Sequence, residues 1–304
     1  MSIESQAFFD PAAVSRLSRI SLSARHPMLG SVSGQHKSAA RGSSVEFAEY
    51  RKYVPGDDIR YVDWRVFGRT DKFFIKEFEA DTNLRCYLIM DTSASMAFEA
   101  DHGTKFDYAR RMAATLGYLL IKQGDAVGLT TFDEKRVHEI PAKTSPTHVK
   151  TMFDILGKVE PKGATEIVQT LHDMAEKISS RALVIVISDF FQEIEPLLDG
   201  FQHMRYRNHD VTVFHLLDKQ EVDFDFDRPI RFKDMESTFD MVTDPSVIGR
   251  GYREALDNYL AAFQKGCRQS GVDYQRVTTD TDYEKVLSSF LLERIGMKGK
   301  SKRG

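Results

Sequence analysis

Apolar and polar positions along the chain fall into two alternating rhythms. Short, nearly unbroken apolar runs at 84–90, 126–132, 182–187 and 211–217 have the length and residue types of strands buried on both faces. Between them the apolar positions recur every three to four residues. Over 105–123 this places Phe106, Ala109, Met112, Ala113, Leu116 and Leu120 on one helical face, and Gly124-Asp125 ends the helix. The same spacing predicts helices over 147–156, 166–178, 194–207, 246–270 and 283–294, with a last strand at 272–277. Val137 to Ile140 is read as pairing back on the second strand across Asp133-Glu134-Lys135. Strand–helix alternation of this kind predicts an α/β fold, a doubly wound, mostly parallel sheet flanked by helices.

The rhythm breaks at both ends of this stretch. From 219 to 244 it gives way to a small β excursion, with short runs at 230–232 and 238–242. Asp223-Phe-Asp-Phe-Asp227 imitates the start of a calcium loop, but Arg228 stands where a glycine is required and Asp234 where a bidentate Glu is required. Strict acidic/Phe alternation is read instead as a strand with one wet face. Near the N-terminus, Asp10-Pro11 caps a helix carrying Val14, Leu17 and Ile20 on one face, with Arg16 and Arg19 between them. It is read as packed on the domain. A transit peptide or a membrane-surface helix are the alternatives, and Glu4 and Asp10 count against the first.

Residues 25–45, rich in Gly, Ser and basic side chains, are read as a loop contacting a neighbouring domain or partner. Gly30, Gly34 and His36-Lys37-Ser38 approach a phosphate-binding loop, but His36 occupies the glycine position before the lysine. Pro55-Gly56-Asp57-Asp58 is a turn. Around it Asp57, Asp58 and Asp63 alternate with Arg51, Arg60, Arg65 and Arg69. An ion-pair network with Trp64 as apolar anchor is favoured over an acid/base pair or second metal site. A strand at 73–78 leads into the first strand of the alternation. The implied division is an N-terminal extension over 1–83, a main domain over 84–296 and a basic tail over 297–304.

The chemistry gathers where strands end. Leu84–Met96 closes its apolar half on Asp91, Ser93 and Ser95, one carboxylate and two hydroxyls at alternate positions. Hard oxygen donors suit Mg²⁺ over a soft metal, but three cannot fill an octahedral shell. Asp189 ends the 182–187 strand and should reach the same sheet edge as Asp91. Thr165 lies in the Pro161–Thr165 turn at a helix start, with its hydroxyl available.

Composition narrows the setting. The 304 residues carry 42 basic and 45 acidic side chains, a net charge of -3 that gives no general attraction to nucleic acid or anionic membrane. The 41% hydrophobic fraction allows a sizeable core. Cys86 and Cys267 are far apart, which suits a reducing, cytoplasmic compartment and excludes a disulfide framework or zinc knuckle. No run approaches the roughly 20 apolar residues of a membrane span.

Asp-x-Ser-x-Ser at 91–95, Thr165 and Asp189 together resemble the metal-ion-dependent adhesion site of von Willebrand factor A (vWA) domains. The alternative is a set of capping hydroxyls beside a structural Asp. Upstream, His36-Lys37-Ser38, Gly42, Glu46-Phe47, Arg51-x-Tyr53, Gly56-Asp57-Asp58-x-Arg60 and Asp63-Trp64-Arg65 resemble the front half of a bacterial family catalogued as domain of unknown function 58. The resemblance implies a vWA-type domain binding Mg²⁺, or Mn²⁺ or Ca²⁺. It implies direct ligation by Ser93 and Ser95, ligation or water exchange at Thr165, and contact through water at Asp91 and Asp189. It further implies a protein partner supplying an Asp or Glu to the ion, and an adaptor or co-chaperone role beside a MoxR-type AAA+ ATPase. The rival class is an Mg-dependent phosphoryl-transfer or hydrolase enzyme using Asp91. Against it, Ser93 stands where haloacid dehalogenase-type phosphatases need a second Asp, and no Gly-x-Ser-x-Gly elbow is present. The expectation is a binding module, not an enzyme.

Overall fold

The computed structural model describes residues 6–20, 22, 33–38, 45–54, 59, 62–82, 84–134, 137–226, 230–233, 235 and 240–300. It divides into two units, His26–Leu84 and the remainder, Met1–Arg25 with Arg85–Gly304. The described residues 6–20 and 22 thus belong with the main unit, as the reading of the Asp10-Pro11 helix expects, although a division at residue 83 sets them in the N-terminal extension. Helix α1 (Pro11–Leu17) explains why. Asp10 caps it by accepting from the Ala12 N–H (2.8 Å), and Ala13, Val14 and Leu17 are buried. Its neighbours are the first and last helices of the main unit.

The smaller unit holds β1 (Ser33–Ser38), β2 (Val45–Lys52), α2 (Trp64–Thr70) and β3 (Phe74–Thr82). Its sheet runs β1-β3-β2 with both pairings antiparallel. Two expectations are corrected here. His36-Lys37-Ser38 lies on a strand, not in a loop, so a phosphate-binding loop is not its geometry. Asp63 accepts from the Arg65 and Val66 N–H groups and so starts α2, a helix too short for periodicity to announce. Trp64 is no buried anchor: it is 60% exposed, edge-on to Phe67 and Phe73. Asp57, Asp58 and Arg60 fall outside the described residues.

The main unit continues with β4 (Arg85–Asp91), a 3₁₀ turn at Ala94–Ala97, a small hairpin β5 (Glu99–Ala100) and β6 (Gly103–Thr104), and α3 (Lys105–Lys122). Then come β7 (Ala126–Phe132), β8 (Val137–Lys143), α4 (Pro146–Lys158), α5 (Ile167–Lys177), β9 (Leu183–Ser188), α6 (Ile194–Tyr206) and β10 (Asp210–Leu217). A short α7 (Lys219–Asp223), the hairpin β11 (Ile230–Lys233) and β12 (Asp240–Thr243), α8 (Pro245–Gln269), β13 (Asp273–Thr278) and α9 (Tyr283–Lys300) complete it. The six-stranded sheet has the order β13-β10-β9-β4-β7-β8, parallel throughout except for the antiparallel edge strand β8. The doubly wound, mostly parallel α/β sheet flanked by helices is present as expected. All residues of β9 and β10 are buried, which is why 183–187 reads as an unbroken apolar run and 211–217 as a nearly unbroken one.

Near 220–244 the hairpin β11–β12 matches the expected excursion, but the Asp/Phe alternation is not a strand. Asp218 and Glu221 form a capping box that nucleates α7, and Phe224 ends it in the left-handed region (φ 48°). Its ring is then buried in a stack on Tyr252. Local capping outcompetes a two-residue alternation. At the other end, α9 carries the chain on to Lys300, into what was read as the tail.

Gly128 marks one place where a side chain has no room. It sits in β7 at the irregularity in its pairing with β8. A Cβ there would meet the Tyr87 ring at 2.7 Å and the Ile140 carbonyl oxygen at 3.0 Å. Gly128→Ala is expected to cost about 1–3 kcal/mol by overpacking, read as a lower denaturant midpoint with an unchanged slope.

Candidate metal centre

The sheet order locates the centre. From β4 the chain passes to β7 on one side and later returns to β9 on the other, so β4/β9 is the switch point where a doubly wound sheet opens a crevice at its carboxyl edge. Asp91 ends β4, and Asp189 directly follows β9. The loop carrying Thr165 is tied to the Asp91–Ser95 loop by main-chain bonds: Ala94 N–H to the Gly163 carbonyl (2.8 Å) and Lys162 N–H to the Thr92 carbonyl (2.9 Å). Gly163 has φ 73°, the left-handed turn a glycine accepts without cost.

The side chains converge on Asp91. Its Oδ1 accepts from the Ser93 N–H (2.8 Å), while Oδ2 accepts from Ser188 Oγ (2.6 Å) and Thr165 Oγ1 (3.3 Å). Ser93 Oγ and Ser95 Oγ lie 3.0 Å apart. Asp91, Ser93 and Asp189 are buried, while Ser95 and Thr165 are half-buried. The centre therefore has a closed floor and a partly open rim. All five residues singled out in the sequence meet at one sheet edge.

Burial pushes the Asp91 carboxyl up to about 7, the nearby Asp189 charge pushes the same way, and the bonds from Ser188 and Ser93 oppose both. The donors to Asp91 are neutral hydroxyls and an amide. The set is thus rich in hard oxygen, with hydroxyls about 3 Å apart, the spacing of adjacent ligands on an octahedral ion with bonds of about 2.1 Å. The residues fit a small divalent cation. Among the described residues no group of three or more His, Cys, Asp or Glu is placed to hold a metal ion, so at this edge the hydroxyls would have to supply most of the ligands.

Three participants escaped the sequence reading. Ser188 closes one side of Asp91. Lys105, the first residue of α3, is buried, and its Nζ donates to Asp189 Oδ2 (2.8 Å) and Glu221 Oε1 (2.7 Å). Burial alone would lower the Lys105 pKa, but its two carboxylate partners outweigh that and raise it. Asp189 itself leads into Phe190, which takes φ 51°. This strained position is held by the buried Phe190 ring against Phe201 and Phe263, and by Tyr259 Oη donating to the Phe190 carbonyl.

Comparison with known proteins finds relatives and one matching family. An uncharacterized protein of Mycobacterium tuberculosis, Rv1480, is 25% identical over 94% of this chain and 90% of its own length. Among solved structures, an aerotolerance-related membrane protein from Bacteroides fragilis aligns over 70% of this chain and 99% of its own, with 14% identity and a TM-score of 0.48. The SpRpn10 VWA domain aligns over 70% and 95%, with 10% identity and a TM-score of 0.41. No helix among the described residues is long and apolar enough to cross a membrane. The model of one family matches residues 49–257, from β2 of the smaller unit into α8 of the main one, and by that match the chain belongs to the family described as protein of unknown function DUF58.

Proposed function

We propose that the β4/β9 edge is a metal-bridged protein-docking site. A divalent ion, Mg²⁺ or Mn²⁺ by size, is held by Ser93, Ser95 and Thr165, with Asp91 and Asp189 supplying charge. When bound, it offers an open coordination position to an Asp or Glu of a protein partner. The observation that carries this is that Ser93, Ser95 and Thr165 gather above the buried Asp91 carboxylate, with the Asp189 charge close enough to act on Asp91. Two carboxylates neutralise a divalent ion, yet a hydroxyl-rich inner set leaves it electrophilic enough to take a third carboxylate. The family resemblance makes a MoxR-type AAA+ ATPase the first partner to try, in an adaptor role.

An enzymatic role for Asp91 has less support. Its Oδ2 is already engaged by Ser188 and Thr165, and the cation bonded to neighbouring Asp189 is an ammonium locked between two carboxylates.

The test is a pull-down with the full chain, in Mg²⁺ or in EDTA, comparing wild type with Ser93→Ala/Ser95→Ala. Partners captured only by wild type with Mg²⁺ support the reading. Partners retained equally in every condition defeat it.

A pH dependence follows from Asp91. An acid whose folded pKa is raised to about 7 binds more protons folded than unfolded between about pH 4 and 7. That contribution to stability is complete below pH 4 and is lost as pH rises through 7. A cation must displace the same proton, so Mn²⁺ affinity should fall by up to about tenfold per unit below pH 7. Thermal denaturation with and without Mn²⁺ should show a larger rise in Tm at pH 8 than at pH 6. Equal shifts would count against Asp91 as the charge beneath the ion.

A further inference from the structure

The most unusual group near the centre is Lys105. A lysine at the first position of a helix opposes the helix dipole, and one with 1% side-chain exposure loses its hydration as well. It is kept charged by Asp189 Oδ2 at 2.8 Å and Glu221 Oε1 at 2.7 Å, with the Phe191 ring 5.4 Å from its nitrogen. Glu221 is itself fixed: its Oε2 accepts from the Asp218 N–H (2.7 Å), and Asp218 in turn accepts from Thr279 Oγ1 (2.6 Å) at the end of β13. The ammonium therefore has a rigid seat built from α3, α7 and the β10 and β13 ends.

We infer that Lys105 is a positioning residue for the metal centre: it claims Asp189 Oδ2, holds that carboxylate out of the ion's inner shell, and so preserves the ion's appetite for a partner's carboxylate. This rests on the docking-site reading above and adds to it the residue that sets the ion's electrophilicity. Asp91, Asp189 and Glu221 bring three negative charges and Lys105 one positive, leaving the two that a divalent ion neutralises. Removing the lysine releases Asp189 to join the ion and take the place of a coordinated water. Removing the Glu221 charge does the opposite, because the ammonium then acts on the centre less compensated.

The opposite signs make the test. Mn²⁺ is titrated into the full-length protein and its Lys105→Met, Lys105→Arg, Glu221→Gln and Ser93→Ala/Ser95→Ala variants, and coordinated water is counted by water-proton relaxation. Lys105→Met should bind Mn²⁺ about tenfold more tightly with one fewer coordinated water, and Glu221→Gln about tenfold more weakly, the low end of the 10–100-fold range that outer partners exert on metal sites. Lys105→Arg should stay near wild type. A merely structural lysine would leave hydration unchanged and shift both neutral variants in the same direction, overturning the inference. Should Lys105→Met not fold, a Glu221→Gln affinity equal to or above wild type overturns it alone. If wild type binds no Mn²⁺, or Ser93→Ala/Ser95→Ala binds as well as wild type, the docking-site reading falls first and this inference with it.

Discussion

Asp91→Asn should make the ion-free protein more stable and at the same time nearly unable to bind metal. The amide can keep the local hydrogen bonds. Its oxygen still accepts from the Ser93 N–H, and its nitrogen can donate to Ser188 Oγ and Thr165 Oγ1, whose hydroxyls can turn to accept. What disappears is a fully buried negative charge beside Asp189. Relief of that repulsion and of the desolvation penalty should raise ion-free stability at pH 8 by roughly 1–3 kcal/mol. Mn²⁺ affinity should fall by about 100-fold or more, since even residues acting behind metal ligands are worth 10–100-fold. Denaturant unfolding in EDTA and Mn²⁺ titration of the same sample measure both. A variant destabilised without the ion would mean that Asp91 is there for the fold and not for a cation, a trade-off in the wrong direction for a functional site.

The second large effect lies at the opposite end of the sheet. Arg294 of α9 has 1% side-chain exposure and donates to Asp210 Oδ2 (2.9 Å), Thr212 Oγ1 (2.6 Å) and Asp273 Oδ2 (3.1 Å). It ties the last helix to the starts of β10 and β13, with its guanidinium stacked 5.1 Å from the Phe290 ring. Arg294→Ala removes the cation but leaves the Asp210 charge buried, which should cost about 3–5 kcal/mol. Arg294→Lys keeps the charge and loses the forked geometry, so its cost should be smaller. Chemical denaturation should show that order, and equal losses for Ala and Lys would mean that a cation without the guanidinium fork does nothing for Asp210. Because the residue is remote from Asp91 and Thr165, Mn²⁺ affinity of the folded fraction should not change.

These two sites also show what could be read from the sequence. The strand ends were legible because full burial forces unbroken apolar runs, so the polar residues that stop them stand out: Asp91 after Met90, Ser188-Asp189 after Ile187. Thr165 was legible from its turn. Ser188 was visible as a neighbour, but nothing in the spacing aims its hydroxyl at Asp91. Lys105 stands at the start of the helix predicted over 105–123, and nothing in the spacing marks it as buried. The one signal available was its sign, a cation in the first turn where an anion or neutral cap is favoured. Its partners lie 84 and 116 residues away, and no local pattern encodes such a pairing. The same limit hid Arg294 against Asp210. In the smaller unit the errors were local instead. Asp63 is also the helix cap that its position before Trp64-Arg65-Val66 makes it, a role that the charge pattern around it does not announce. Asp218 and Glu221 likewise formed a capping box in a stretch read for its Asp/Phe alternation.

The central claim is that one divalent ion sits on the hydroxyls at the β4/β9 edge. Crystals of the full chain grown with Mn²⁺, with diffraction data collected near the manganese absorption edge, test it directly. The account predicts a single strong anomalous peak within coordination distance of Ser93 Oγ and Ser95 Oγ, with Lys105 still bonded to Asp189. A peak on other residues, or none at this edge in a protein that otherwise folds as described, would contradict it.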